Sequence, residues 1–168
     1  MVGAHNLMRG ALDVYRGVVE LPRPAQLLFV CGKDERLRQV IEQLAQRAPM
    51  PVHVFGYVRE IPALMAVSDL MISKAGGVTT SEALAAELPM VLVNPIPGQE
   101  EENASFLRAV GAAVVAPRPA ALRCLVADLL DHPECLARLR EGARRVKRPD
   151  AAASAAAAIL ALTPVQVL

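Results

Sequence analysis

A chain of 168 residues has room for a single domain with its own core, and that core can form without disulfide or metal staples. Hydrophobic residues make up 54% of it while aromatics reach only 3%, with no Trp, so the core must be built from Ala, Val, Leu, Ile and Met packed between thin elements. Eighteen basic against 17 acidic residues leave a formal charge of +1, which supplies no broad field for gathering nucleic acid and argues against that class of partner.

The chain opens on a helical pattern, Leu7 to Val19, with no strand before it. In a doubly wound sheet the first strand lies centrally and the turn after it carries a Gly-rich phosphate loop. Neither precedes Leu7, so the pattern suggests a fragment or shortened form of a longer product whose usual first strand is missing. From there, short β-branched runs alternate with longer amphipathic stretches, the signature of βαβ units in a Rossmann-like three-layer α/β sandwich with a parallel sheet. Strands are predicted at Gln26 to Cys31, Val52 to Phe55, Leu70 to Ser73, Met90 to Val93 and Ala113 to Ala116. The helices between and after them are predicted at Asp34 to Gln46, Pro62 to Ala66, Thr79 to Glu87, Glu100 to Val110 and Pro119 to Leu130. Two more close the domain, Pro133 to Arg145 and an Ala-rich one from Asp150 to Leu162, with Asp150 placed to cap it and Pro164 to forbid its continuation.

Several features carry no chemistry on this reading. Cys31, Cys124 and Cys135 are odd in number and far apart, and read as reduced core thiols. His5, His53 and His132 lack metal-ligand spacing, and neither a metal site nor a catalytic role is assigned to them. The segment Met1 to Met8 has no basic start followed by an apolar stretch, and the longest apolar tract, Ala151 to Leu162, falls short of the roughly 20 residues that span a bilayer. A cytoplasmic protein is expected. The basic run Arg138, Arg140, Arg144, Arg145, Lys147 and Arg148 reads either as a solvated helix face or as a patch for anionic lipid headgroups, a peripheral contact with the inner face of the membrane.

Three turns are informative. Asp69 to Leu84, DLMISKAGGVTTSEAL, reads as buried strand, Gly-containing turn and helix start. Gly76 and Gly77 let an anion approach the backbone, while Thr79, Thr80 and Ser81 bring hydroxyls and amide N–H groups to the positive end of a helix. Many such turns need Gly only for packing. Glu82 in the first turn either stabilises the helix dipole or accepts hydrogen bonds from a ribose diol beside a pyrophosphate; Lys74 either is solvated or neutralises phosphate. Asn94 to Asn103, NPIPGQEEEN, sets Gln99 and consecutive acids after a stiff turn, where amide and carboxylate groups suit a hydroxyl-rich ligand. Phe55 to Pro62, FGYVREIP, ends a strand in Gly56 and leaves backbone groups near Val58 open to a base edge.

In this order and spacing the three segments, within GYVREIPALMAVSDLMISKAGGVTTSEALAAELPMVLVNPIPGQEEENA, resemble the C-terminal, donor-binding domain of two-domain GT-B glycosyltransferases. The family is that of monogalactosyldiacylglycerol synthases, processive diacylglycerol glucosyltransferases and the lipid-II-forming N-acetylglucosaminyltransferase, and the diacylglycerol enzymes are the nearest. The resemblance implies that Tyr57, Val58 and Ile61 surround a uracil, with the Val58 backbone bonding the base. It implies that Ala75, Gly76, Gly77, Val78 and Thr79 face the diphosphate, Glu82 the ribose hydroxyls, and Gln99 and Glu100 the donor sugar. The donor would be UDP-glucose or UDP-galactose and the acceptor a lipid, with no cofactor and no metal at the diphosphate. Where the family usually has Pro in its KPGG turn, this chain has Ala75. The family's acceptor domain and its general base have no counterpart in these 168 residues, so no catalytic residue is assigned and the polypeptide alone is expected to transfer no sugar. Two alternatives remain: a stand-alone nucleotide-sugar-binding module working with a separate partner chain, and a domain like that of UDP-sugar 2-epimerases.

Overall fold

The computed structural model describes residues 4–22 and 24–162. Five strands, β1 (Leu27–Val30), β2 (Val52–Phe55), β3 (Met71–Ser73), β4 (Met90–Leu92) and β5 (Ala113–Val115), alternate with helices. These are α1 (Ala4–Val19), α2 (Glu35–Ala45), α3 (Ile61–Ala66), α4 (Gly77–Ala85), α5 (Gln99–Ala109), α6 (Leu122–Asp131), α7 (Pro133–Val146) and α8 (Ala151–Leu162). All pairing is parallel, as short apolar strands joined by helices require. Pro164, the predicted stop to the last helix, lies outside the described residues.

The backbone ladder is in two parts. β1 pairs with β2, and β4 sits between β3 and β5, but no ladder bond joins the two groups among the described residues. Side chains join them instead. Cys31, Val91 and Val93 share one apolar cluster, against which Val52, Val54, Ile72 and Val114 pack. Met90, Val91 and Leu92 are fully buried, so β4 has helices over both faces. Tyr15 of α1 meets the edge of Phe29 at 6.0 Å between ring centres, tying the first helix to β1.

Local boundaries follow nameable causes. Asp34 caps α2 by accepting from the Leu37 N–H at 2.9 Å, and Leu37 and Ile41 on one face of that helix are buried. Gly142 sits where α7 crosses the turn after α5; a Cβ there would run into the backbone of Gly111. Two predicted helices are corrected. The stretch begun at Pro119 starts as a 3₁₀ turn, Pro119–Ala121, before α6, because Pro fixes a tight entry. The one placed at Thr79 starts at Gly77 instead, since hydroxyl residues suggested a cap two positions too late. The thiol reading is also corrected in part. Cys31 is buried, with its pKa pushed up to about 11 by burial first and by Asp34 next, but Cys124 is exposed and Cys135 half-buried.

Candidate functional site at the ends of the strands

The segment after β3 gives the clearest geometry. Ala75 is wholly buried and anchors the turn, and Gly76 is the N-cap of α4 in extended conformation, φ −69° and ψ 137°. The first helical bond runs from the Thr80 N–H to the Gly76 carbonyl at 3.0 Å, leaving the amides of Gly77, Val78 and Thr79 without a helical acceptor. Gly76 has no side chain to cap them. Neither glycine has a positive φ, nothing lies within 4 Å of a Cβ added at Gly76, and at Gly77 the nearest atom is Asn103 Nδ2 at 4.0 Å. Crowding inside the chain therefore does not account for this pair, and its effect is to leave three N–H groups uncovered at the positive end of a helix.

The side chains around the turn divide by what already holds them. Thr80, named among the candidate hydroxyls, is only 5% exposed, and its hydroxyl donates to the carbonyls of Gly76 at 2.9 Å and Gly77 at 3.2 Å. It braces the turn from beneath and does not face outward. Val78 is 76% exposed, Thr79 is half-buried, and Lys74 is half-buried at the end of β3. Glu82, one turn into α4, is half-buried and its carboxylate has no hydrogen-bond partner among the described residues.

After β4, Asn94 adopts a left-handed φ of 44° and Gly98 a φ of 95°, conformations that Asn and Gly tolerate best. The acids that follow are not equivalent. Glu101 Oε2 accepts from the Gly98 N–H at 3.4 Å, a helix-capping contact, while Glu100 Oε2 accepts from the Ile96 N–H at 2.9 Å and stiffens the Pro95–Gly98 loop. Gln99, the first residue of α5, is exposed. Thus one carboxylate oxygen of Glu100 is occupied within the chain, and the other accepts no hydrogen bond among the described residues.

After β2, Tyr57 is 64% exposed, Val58 is half-buried, and neither the amide nor the carbonyl of Val58 has a backbone partner among the described residues. Ile61 starts α3 and packs against the apolar cluster that also holds Met65, Ala75, Ala83 and Ala104. That cluster adjoins the three turns: Ile61 belongs to the first, Ala75 to the second, and Ala104, in the middle of α5, directly follows the third. Two neighbours were not singled out from sequence. Lys33, after β1, holds its Nζ 5.3 Å from the centre of the Tyr57 ring. Asn103 Nδ2 donates to the Ala75 carbonyl at 2.9 Å across 28 residues of sequence. Lys33 and the last residue of NPIPGQEEEN stand in plain view in the sequence, but only the tertiary arrangement shows what they meet. A hollow lined by Val40, Gln43, Leu44, Gln46 and Arg47 involves the other end of α2 and none of these residues.

Residues 2–155 match the glycosyltransferase family 28 C-terminal domain. The chain is 35% identical over 161 residues to the processive diacylglycerol beta-glucosyltransferase of Bacillus mycoides (strain KBAB4), an alignment covering 96% of this chain and 41% of that protein. It thus spans about two fifths of that relative's length. Among solved structures, MurG of Acinetobacter baumannii superposes with a TM-score of 0.77 at 24% identity, over 95% of this chain and 47% of that one. WaaG, a glycosyltransferase involved in lipopolysaccharide biosynthesis, gives 0.68 at 20% identity, over 93% and 44%. At those identities the two structures speak for the fold.

Proposed function

This chain belongs to the C-terminal domains of glycosyltransferase family 28, and from that premise we propose that it binds a UDP-sugar, UDP-glucose or UDP-galactose, for hexosyl transfer to a lipid acceptor, with diacylglycerol the first choice. The observation that carries the reading is the Gly76–Thr79 helix start, where three amides lack helical acceptors and Gly76 has no side chain to cap them. A diphosphate satisfies those amides and meets the partial positive charge of the helix. On the same reading the free Glu82 carboxylate takes the ribose hydroxyls, the unpaired Val58 backbone takes the uracil edge with Tyr57 and Ile61 around it, and Gln99 with the second oxygen of Glu100 takes the hexose.

In the transfer, an acceptor hydroxyl attacks the anomeric carbon and UDP departs. Charge grows on the diphosphate as the glycosidic bond breaks, and the fixed N–H dipoles, helped by Lys74, stabilise it without reorganising. Gln99 and Glu100 hold the sugar in line for attack. The acceptor site and the general base lie outside these residues. Contact of the enzyme with the membrane that supplies the lipid belongs to the same proposal.

Calorimetric titration with UDP tests it. Measurable binding is expected to this chain, and Glu82→Ala is expected to abolish it at the same protein concentration. No heat with any uridine nucleotide, from a chain shown by circular dichroism to be folded, would overturn the reading.

A further inference from the structure

Resting on that reading, we infer that Asn103 is a positioning residue that sets the diphosphate turn against the sugar loop. Asn103 lies three residues after Glu100 and four after Gln99, so the three share one side of the first turns of α5. From that side the Asn103 amide donates to the carbonyl of Ala75, the buried residue immediately before Gly76. Its Nδ2 also stands beside Gly77, 4.0 Å from where a Cβ would be. The Glu100 carboxylate meanwhile holds the Ile96 amide, so one helix end fastens two loops that differ in the part of the ligand they serve.

The consequence is directional. The amides of Gly77, Val78 and Thr79 point where the Ala75–Gly76 backbone sends them, and Asn103 is the side chain that fixes that backbone from α5. Without the donor, the Ala75 carbonyl is a buried acceptor lacking its partner, and the turn shifts to find one. The base contacts at Val58 lie on another loop, the one that leads into α3, to which the Asn103 side chain makes no hydrogen bond among the described residues. Loss of Asn103 therefore weakens recognition of phosphate and spares recognition of the nucleoside.

The test compares wild type with Asn103→Leu, which is close in size but cannot donate, and with Asn103→Ala, which also cannot donate, as a smaller substitution should the first not fold. Each is titrated with UDP by calorimetry and with uridine by ligand-observed NMR, alongside thermal melting. UDP affinity is expected to fall about five- to tenfold, the value of one hydrogen bond, with uridine binding held within about twofold. Unchanged UDP affinity in either folded variant overturns the role of Asn103 alone. Parallel loss of UDP and uridine also overturns it, by making Asn103 a general support of the fold. A folded wild type that binds neither compound removes the donor reading first, and this inference with it.

Discussion

Gly76 shows how a single residue can be uninformative in sequence and informative in place. A glycine before a helix is ordinary, and packing or a left-handed turn is its usual reason. Here the backbone is at φ −69°, which any residue adopts, and there is open space where a side chain would go. Gly76→Val should accordingly fold, at a cost in helix capping of no more than about 1 kcal/mol. Its branched side chain would stand over the free amides, and UDP affinity should drop by at least about tenfold, or about 1.4 kcal/mol. Differential scanning and titration calorimetry on the same sample separate the two effects; a large loss of melting temperature with affinity retained would return Gly76 to a packing role. Thr80 carries the complementary lesson. Its hydroxyl is as good a phosphate donor in sequence as that of Thr79, yet in the fold it bonds the carbonyls of Gly76 and Gly77.

Between elements, the connection of α7 to the end of α4 has a pH signature. Glu87 sits just past α4 with a left-handed φ of 53°, and its carboxylate accepts from Lys147 at 2.7 Å and Arg144 at 3.2 Å. Two of the six basic residues of the candidate lipid-facing run are thereby paired with Glu87 inside the chain, and Arg138 donates to the sulfur of Cys135. The hydrogen bond from Lys147, and then that from Arg144, holds the Glu87 pKa below its ordinary value of 4.5. A lowered carboxylate pKa means that the folded state binds its proton less readily than the unfolded chain does. The stabilisation is therefore complete above pH 4.5 and fades as the pH falls through the lowered value. Glu87→Gln should melt slightly lower than wild type at pH 7 and lose part of the fall in melting temperature on acidification below pH 4.5. Identical acid profiles for the two proteins would show that the pair contributes nothing, as many exposed pairs do not. Glu134, also lowered, through a backbone hydrogen bond first and His132 after it, accounts for some of the slope that remains.

At the scale of the molecule, the two apolar clusters are closed around β4 without help from α8, all twelve residues of which are exposed. At about 1.5 Å per residue this helix is too short to cross a bilayer, and no helix among the described residues is long and apolar enough to do so. A chain ending at Asp150 should melt within about 2 °C of the whole one, because a helix with no buried residue contributes well under 1 kcal/mol. A cooperative loss of many degrees would show that α8 is packed in solution. The alternation of short β-branched runs with amphipathic stretches was enough to give parallel α/β architecture, since side-chain periodicity is a local property. Strand centres followed with it: Val52 to Phe55 was placed to the residue, and the other four strands differ only at their ends. The Gly-Gly turn, Glu82 and the Gln99–Glu100 pair were legible as candidates for the same reason, because residue types and loop spacing are written in order along the chain. Partnership is not. That the ladder divides into β1–β2 and β3–β4–β5, that Thr80 bonds its own turn, that Glu100 shares its carboxylate with Ile96, and that Asn103 reaches Ala75 were all decided by tertiary structure. Hydrogen bonds and burial depend on which backbone groups, four residues away for Thr80 and Glu100 and 28 for Asn103, come within about 3 Å, a distance that no pattern along one dimension encodes.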